Sequence, residues 1–210
     1  MPVAALYDIH GNLAALEAVL AEVPEDATIV VGGDVCAGGE HPSGTLTRLR
    51  GLGDRVRWVR GNADRELFPG EGGLVPEPMV EATRGRLSEE EIGFLHELPP
   101  TQRIGDVLYC HASPRNDVDI FTERTPEERI ASLFYGLEVP TVVCGHTHTQ
   151  YERTIGGVRV VNAGSVGMPY EHEPGAYWLL DLVHRGTPYD GAELKATREE
   201  AVAEFTQRGL

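Results

Sequence analysis

Seven residues stand out by chemical type and by place: Asp8, His10, Asp34, Asn62, His111, His146 and His148. Two carboxylates, four imidazoles and one amide make a mixed oxygen and nitrogen donor set, which Mn, Fe, Ni and Zn all accept. No thiolate is among them, so the set is unlike a structural zinc cage. Seven protein ligands are too many for one such ion and suit two ions that share a carboxylate. Taken singly, each residue has an ordinary reading. Asp8 could cap the following helix, Asp34 could be a turn residue, and His146 and His148 could be surface side chains. What separates the set from chance is that every member follows an apolar run.

Those runs read as strands. Val3–Tyr7, Thr28–Val31 and Val56–Val59 alternate with helical patterns over Gly11–Val23 and Pro42–Leu52, a β-α-β-α-β start that predicts a parallel sheet covered by helices. Ser88–Glu91 is a capping box opening a helix to about Leu98. Strands at Thr101–Ile104 and Val107–Cys110 follow, joined by a Gly105-Asp106 turn. Thr125–Glu128 reads as a second capping box with its helix running to about Leu137, and Thr141–Cys144 as another buried strand. Later the pattern turns antiparallel: Tyr151–Ile155 and Val158–Val161 flank Gly156-Gly157, and Ala176–Leu182 is a further strand. Leu194–Thr197 is a candidate strand, Arg198–Arg208 a terminal helix, and Pro69–Pro78 the expected mobile loop. In open α/β sheets, sites form beyond the carboxyl ends of strands, so the seven residues are expected to converge.

Composition narrows the function classes. The chain has 210 residues, long enough for one full core, and residues 1–210 are read as a single domain. Lys+Arg is 18 against 33 Asp+Glu, a net charge of −15, which argues against a nucleic-acid duplex or an anionic membrane as partner. No apolar run approaches the roughly 20 residues of a membrane span. Met1–Asn12 lacks a basic leader, and Cys36, Cys110 and Cys144 are few and scattered, so a reducing cytoplasmic setting is expected. Cys110 and Cys144 read as small buried hydrophobes. His41, His96, His172 and His184 fit no ligand pattern.

The ordered series D-I-H-G-N (Asp8–Asn12), G-G-D (Gly32–Asp34), R-G-N-A-D (Arg60–Asp64), C-H-A (Cys110–Ala112) and G-H-T-H (Gly145–His148) resembles the calcineurin-like metallophosphoesterases. It is most similar to their small bacterial branch of phosphodiesterases and diadenosine tetraphosphatase-like proteins. The stretch Gly156–Gly167 is similar to that branch too, and the likeness covers about Ala4–Leu182. The resemblance implies an α/β fold of four α/β/β/α layers, two mixed β-sheets flanked by helices. It implies that Asp8, His10 and His148 hold one ion, that Asn62, His111 and His146 hold the other, and that Asp34 bridges them. Manganese is the first expectation for the pair, with Fe, Ni or Zn as alternatives. Asp34, Asn62 and His10 would be the catalytic positions. The implied reaction is in-line attack of a metal-bridging hydroxide on a phosphodiester, phosphomonoester or phosphoanhydride, with a small phosphate ester such as a nucleotide as substrate. Asn12, Arg115 and Arg124 are candidate substrate contacts. A non-catalytic, protein-binding scaffold of the same fold is the alternative. One departure is clear: the family's His after the asparagine, credited with protonating the leaving group, is Ala63 here. That puts the general acid in doubt and implies good leaving groups or a substitute acid.

Overall fold

The computed structural model describes residues Met1–Leu210. Its first sheet starts from short apolar strands, β1 (Val3–Leu6), β2 (Thr28–Val31) and β3 (Val56–Trp58), which pair in parallel. Each connection is a helix, α1 (Leu13–Glu22) and then α2 (Pro42–Arg50). Two late strands complete the sheet on the other side of β1. These are β9 (Ala176–Leu180), antiparallel to β1, and β10 (Val183–Thr187), antiparallel to β9, giving the order β10-β9-β1-β2-β3.

The second sheet has the order β4-β5-β6-β8-β7. Its strands are β4 (Thr101–Ile104), β5 (Val107–Cys110), β6 (Thr141–Cys144), β7 (Gln150–Ile155) and β8 (Val158–Ala163). β5, β6 and β8 run parallel, while β4 and β7 are antiparallel hairpin partners. Gly156 and Gly157 both take positive φ in the β7–β8 turn, which the two-residue hairpin requires.

Alternation along the strands explains the layering. Ala5 and Tyr7 face inward and pack with Val30, Tyr109, Val143 and Val161, a core shared by both sheets. Ala4 and Leu6 face outward against helical Leu16, Val19, Leu46 and Leu49. On the far side, Val142 and Cys144 pack with Phe121, Ile130 and Phe134. The result is two five-stranded mixed sheets face to face with helices outside, the expected sandwich.

Several boundaries differ from expectation. Leu194–Thr197 is not a strand; the tenth strand is Val183–Thr187, a mostly exposed edge whose residues carry no apolar alternation. The helix after Thr125 is short: α6 spans Glu127–Ile130 and gives way to a 3-10 turn at Ala131–Leu133. Thr125 does not cap it, because its hydroxyl accepts the Thr122 N–H instead. Two helices were not foreseen, α3 (Asn62–Glu66) and α4 (Glu77–Arg84). The capping box at Ser88 does form, with Ser88 and Glu91 reciprocally bonded ahead of α5 (Glu89–His96). The Pro69–Pro78 segment is not left free: the buried Glu66 carboxylate accepts the N–H groups of Leu74 and Val75 at 3.0 and 2.8 Å.

Candidate metal centre

The carboxyl ends of β1, β2, β3, β5 and β6 meet at one edge of the sandwich, and the seven residues meet there. Asp8, His10 and His148 bring their ligand atoms within 4.8 Å of one another, and Asp34, His111 and His146 do the same. Asn62 joins the second group, its Oδ1 lying 3.2 Å from His111 Nε2. The groups abut. Asp34 Oδ1 is 3.5 Å from His111 Nε2 while its Oδ2 is 4.0 Å from His10 Nε2. Asp8 Oδ1 lies 3.3 Å from His148 Nε2 and 4.0 Å from both His10 and His111.

The backbone is strained to make this happen. Seven residues other than glycine have left-handed φ between 50° and 68°, and five of them are Asp8, His10, Asp34, His146 and His148. Each costs on the order of 1–2 kcal/mol. Space is equally tight: a Cβ on Gly61 would collide with Asp34 Oδ1, and one on Gly145 with Asp8 Oδ2.

Neighbouring groups fix how each ligand is presented. Nδ1 of His10, His111 and His148 donates to the carbonyls of Ala37, Gly32 and Met168 at 2.6, 2.9 and 2.7 Å. A carbonyl only accepts, so Nδ1 carries the proton and Nε2 faces the centre. Asn62 Nδ2 donates to Glu66 Oε1 at 3.1 Å, which turns its Oδ1 toward His111. Asp8 Oδ2 accepts the His146 N–H, and Asp34 Oδ1 accepts the Ala63 N–H. Asp8 Oδ1 is buried with no hydrogen-bond partner. An orphaned carboxylate oxygen beside three aimed Nε2 atoms fits a cation.

The electrostatics fit as well. Burial opposes a charge on His111, but Asp34 and Asp8 outweigh it and hold the imidazolium up to about 10. Burial likewise opposes charge on His148, and Asp8 overcomes it, raising its pKa. Burial and the neighbouring His111 push His146 down to about 4, and burial and His148 lower His10. Burial disfavours the carboxylates of Asp8 and Asp34, yet the surrounding histidines hold both below the usual range. Without metal, then, His111 keeps its proton at neutral pH, and Asp8 draws His148 in the same direction. The extra proton sits on Nε2, facing the other ligand atoms.

Sequence reasoning missed the supports. Asp64, fully buried, accepts N–H groups from Asp34, Val35 and Gly61 at 2.8, 2.9 and 3.0 Å and so sets the Asp34 turn. Burial and the Asp34 charge push its carboxyl up to about 7. Its signal was present as the last residue of R-G-N-A-D. Ser165 donates to the Asp8 carbonyl, and Asn162 donates to Gly145 O, so the end of β8 and the loop after it brace two of the donor loops. Ala63 is buried and offers only its backbone N–H.

Of the candidate substrate contacts, Asn12 shares a cavity with one of the seven donors, His10. Asn12 caps α1 through Ala15 N–H, and its amide donates to Gly167 O and the Tyr189 hydroxyl. It lines a cavity of about 460 Å³ beside His10. Arg115 pairs with Asp119 at 2.7 Å and lines a second cavity with Arg60 and Arg65. Arg124 is exposed, and neither arginine bonds to any of the seven ligands. Cys36 is buried, its thiol donates to Pro42 O, and burial raises its pKa, so it is no nucleophile at this site.

Comparison with known proteins gives the family and the fold. The calcineurin-like phosphoesterase superfamily domain matches residues 1–185. Symmetrical bis(5'-nucleosyl)-tetraphosphatases of two Pectobacterium species are 40% identical over 70 residues, 32% of this chain. The match spans only 25% of the length of those relatives. A crystal structure of a metallophosphoesterase from Sphaerobacter thermophilus superposes with a TM-score of 0.72 at 24% identity, covering 90% of this chain and 89% of that one. A hypothetical protein from Pyrococcus horikoshii OT3 gives 0.76 at 20% identity, covering 99% and 93%. At these identities the likeness to the two structures is one of fold.

Proposed function

The chain belongs to the calcineurin-like phosphoesterase superfamily, and from that premise we propose that it cleaves small phosphodiesters, phosphomonoesters or phosphoanhydrides by in-line displacement at phosphorus. It is a metal-dependent phosphoester hydrolase. The observation that supports the finer reading is the meeting of seven donors around the unpartnered Asp8 Oδ1.

In this reading Asp8, His10 and His148 hold one divalent ion, Asn62, His111 and His146 hold the other, and Asp34 lies between them. Manganese is the first choice, with Fe, Ni or Zn as alternatives for the same donors. When bound, the pair supplies charge against the phosphate oxygens and activates water for attack. The chain's own residues do the rest. Carbonyl-anchored imidazoles and the Glu66-held Asn62 keep the donors fixed, so little reorganisation accompanies the reaction. Ala63 brings no proton to the leaving group, because its N–H is committed to Asp34. Substrates with good leaving groups are therefore favoured. Both sheets contribute ligands, so residues 1–210 act as one domain. Three free, buried cysteines suit a reducing cytosol. No helix is long and apolar enough to cross a membrane.

Metal analysis with hydrolysis of bis(p-nitrophenyl) phosphate tests the proposal. After incubation with Mn, about two ions per chain are expected, with turnover that chelation removes and that Asp34→Asn abolishes. A protein that stays metal-free and inert after Mn, Fe, Ni and Zn would overturn it in favour of a protein-binding scaffold.

A further inference from the structure

The family match ends at residue 185, yet the residues after it reach back to the metal centre. They build one wall of a cavity of about 400 Å³. His146, Tyr170 and Ile120 line it from the matched region, and Lys195, Ala201 and Phe205 from the later segment. An aromatic row leads out of the centre into it. His148 stacks on Tyr170 with centroids 5.1 Å apart and 17° between planes, and Tyr170 lies 5.9 Å from Phe205.

This wall is firmly docked. The Arg198 guanidinium reaches Glu171 and Glu123 at 2.8 and 2.7 Å and also donates to Gln150 O. The Thr206 and Thr122 hydroxyls are 2.6 Å apart, and Leu210 N–H donates to Ile120 O at 2.9 Å. Helix α7 (Arg198–Arg208) starts with a capping box at Thr197 and Glu200. Lys195, the chain's only lysine, stands just before it. It borders both this cavity and the one beside His10. Its only ionic partner is exposed Glu193 at 3.8 Å, a solvated contact worth little.

We propose that this later segment is the substrate-selecting wall of the centre. A planar aromatic group joined to the scissile phosphate lies against Tyr170 and Phe205, and Lys195 meets a second anionic group of the same substrate. This rests on the phosphoesterase reading and adds the class of substrate, a nucleoside polyphosphate. A phosphate held by cations gains nothing from an apolar, aromatic surface, whereas a base does. In a chain of net charge −15, a second phosphate needs a local cation, and Lys195 is placed to supply it, because Arg208 on the same lining is paired with Glu204 at 2.7 Å.

The test compares diadenosine tetraphosphate with inorganic tetrapolyphosphate, which share a chain of four phosphates and differ in the two nucleosides. In the Mn-loaded protein, Phe205→Ala should lower the ratio of their kcat/KM values about tenfold, the scale of one base–aromatic stack. Lys195→Met should raise KM for both by about tenfold, and Lys195→Arg should restore it. Lys195 is exposed, so its variants do not disturb folding. Because it is the only lysine, its acylation, read by peptide mass spectrometry, reports occupancy directly, and ATP should shield it. An unchanged ratio in Phe205→Ala, or acylation of Lys195 unaffected by ATP, overturns the proposal while bis(p-nitrophenyl) phosphate hydrolysis continues. Loss of all metal-dependent hydrolysis in the unmodified protein would instead overturn the phosphoesterase reading beneath it.

Discussion

A proton on His111 offsets part of the buried carboxylate charge when the centre holds no metal. His111 keeps its proton up to about 10 between Asp34 and Asp8, and His148 is raised beside Asp8. An ordinary histidine titrates near 6.5. The folded value of His111 lies above the unfolded one. Its contribution to the metal-free fold is therefore complete below about pH 6.5 and is lost as pH rises through about 10. A metal ligand must be neutral at the coordinating nitrogen, so loading at pH 7–8 should expel about one proton for each histidine held charged. Calorimetric titration with Mn in Tris and in HEPES measures that number from the difference in apparent enthalpy. Release near zero would mean that the histidines were neutral beforehand. The donors that meet at this edge were legible in the sequence because each is a chemically distinctive side chain soon after an apolar run. Asp64 and Glu66 were not, because a carboxylate that binds backbone N–H groups looks, in one dimension, like any surface acid.

Helix α3 is only five residues long and depends on what it carries. Glu66 at its end holds Asn62 Nδ2 together with Leu74 and Val75 N–H, so one buried carboxylate ties a metal ligand to the loop before α4. Glu66→Ala should leave two partly buried backbone donors and the Asn62 amide without their acceptor and cost about 1–3 kcal/mol. It should also weaken the site to which Asn62 contributes by about 10–100-fold. Urea denaturation and Mn titration check the two effects. A variant with normal stability and normal metal affinity would show that the carboxylate is dispensable. The expectation of a mobile loop at Pro69–Pro78 came from its Gly, Pro and Glu content. Composition describes local preference and says nothing of an acceptor arriving from eight residues upstream.

Across the whole molecule, two sheets fold around a shared core, and the loops at one edge bring buried carboxylates together in a protein already at −15. Cations that bind the folded state alone should stabilise it. At 100 times the dissociation constant the gain is about 2.7 kcal/mol. The urea midpoint should rise with Mn and fall with chelator, and identical midpoints would count against a folded-state metal pair. The β-α-β start and the Gly105-Asp106 and Gly156-Gly157 hairpins could be read locally, since strand, helix and turn periodicity are properties of neighbouring residues. So could the donor set, whose chemistry belongs to its side chains. The placement of β9 beside β1 and of β8 beside β6 required the folded chain. So did the left-handed backbone at five ligands and the return of Lys195 and Phe205 to the centre. These depend on contacts between residues up to more than a hundred positions apart, and no local pattern records which distant surfaces will pack together.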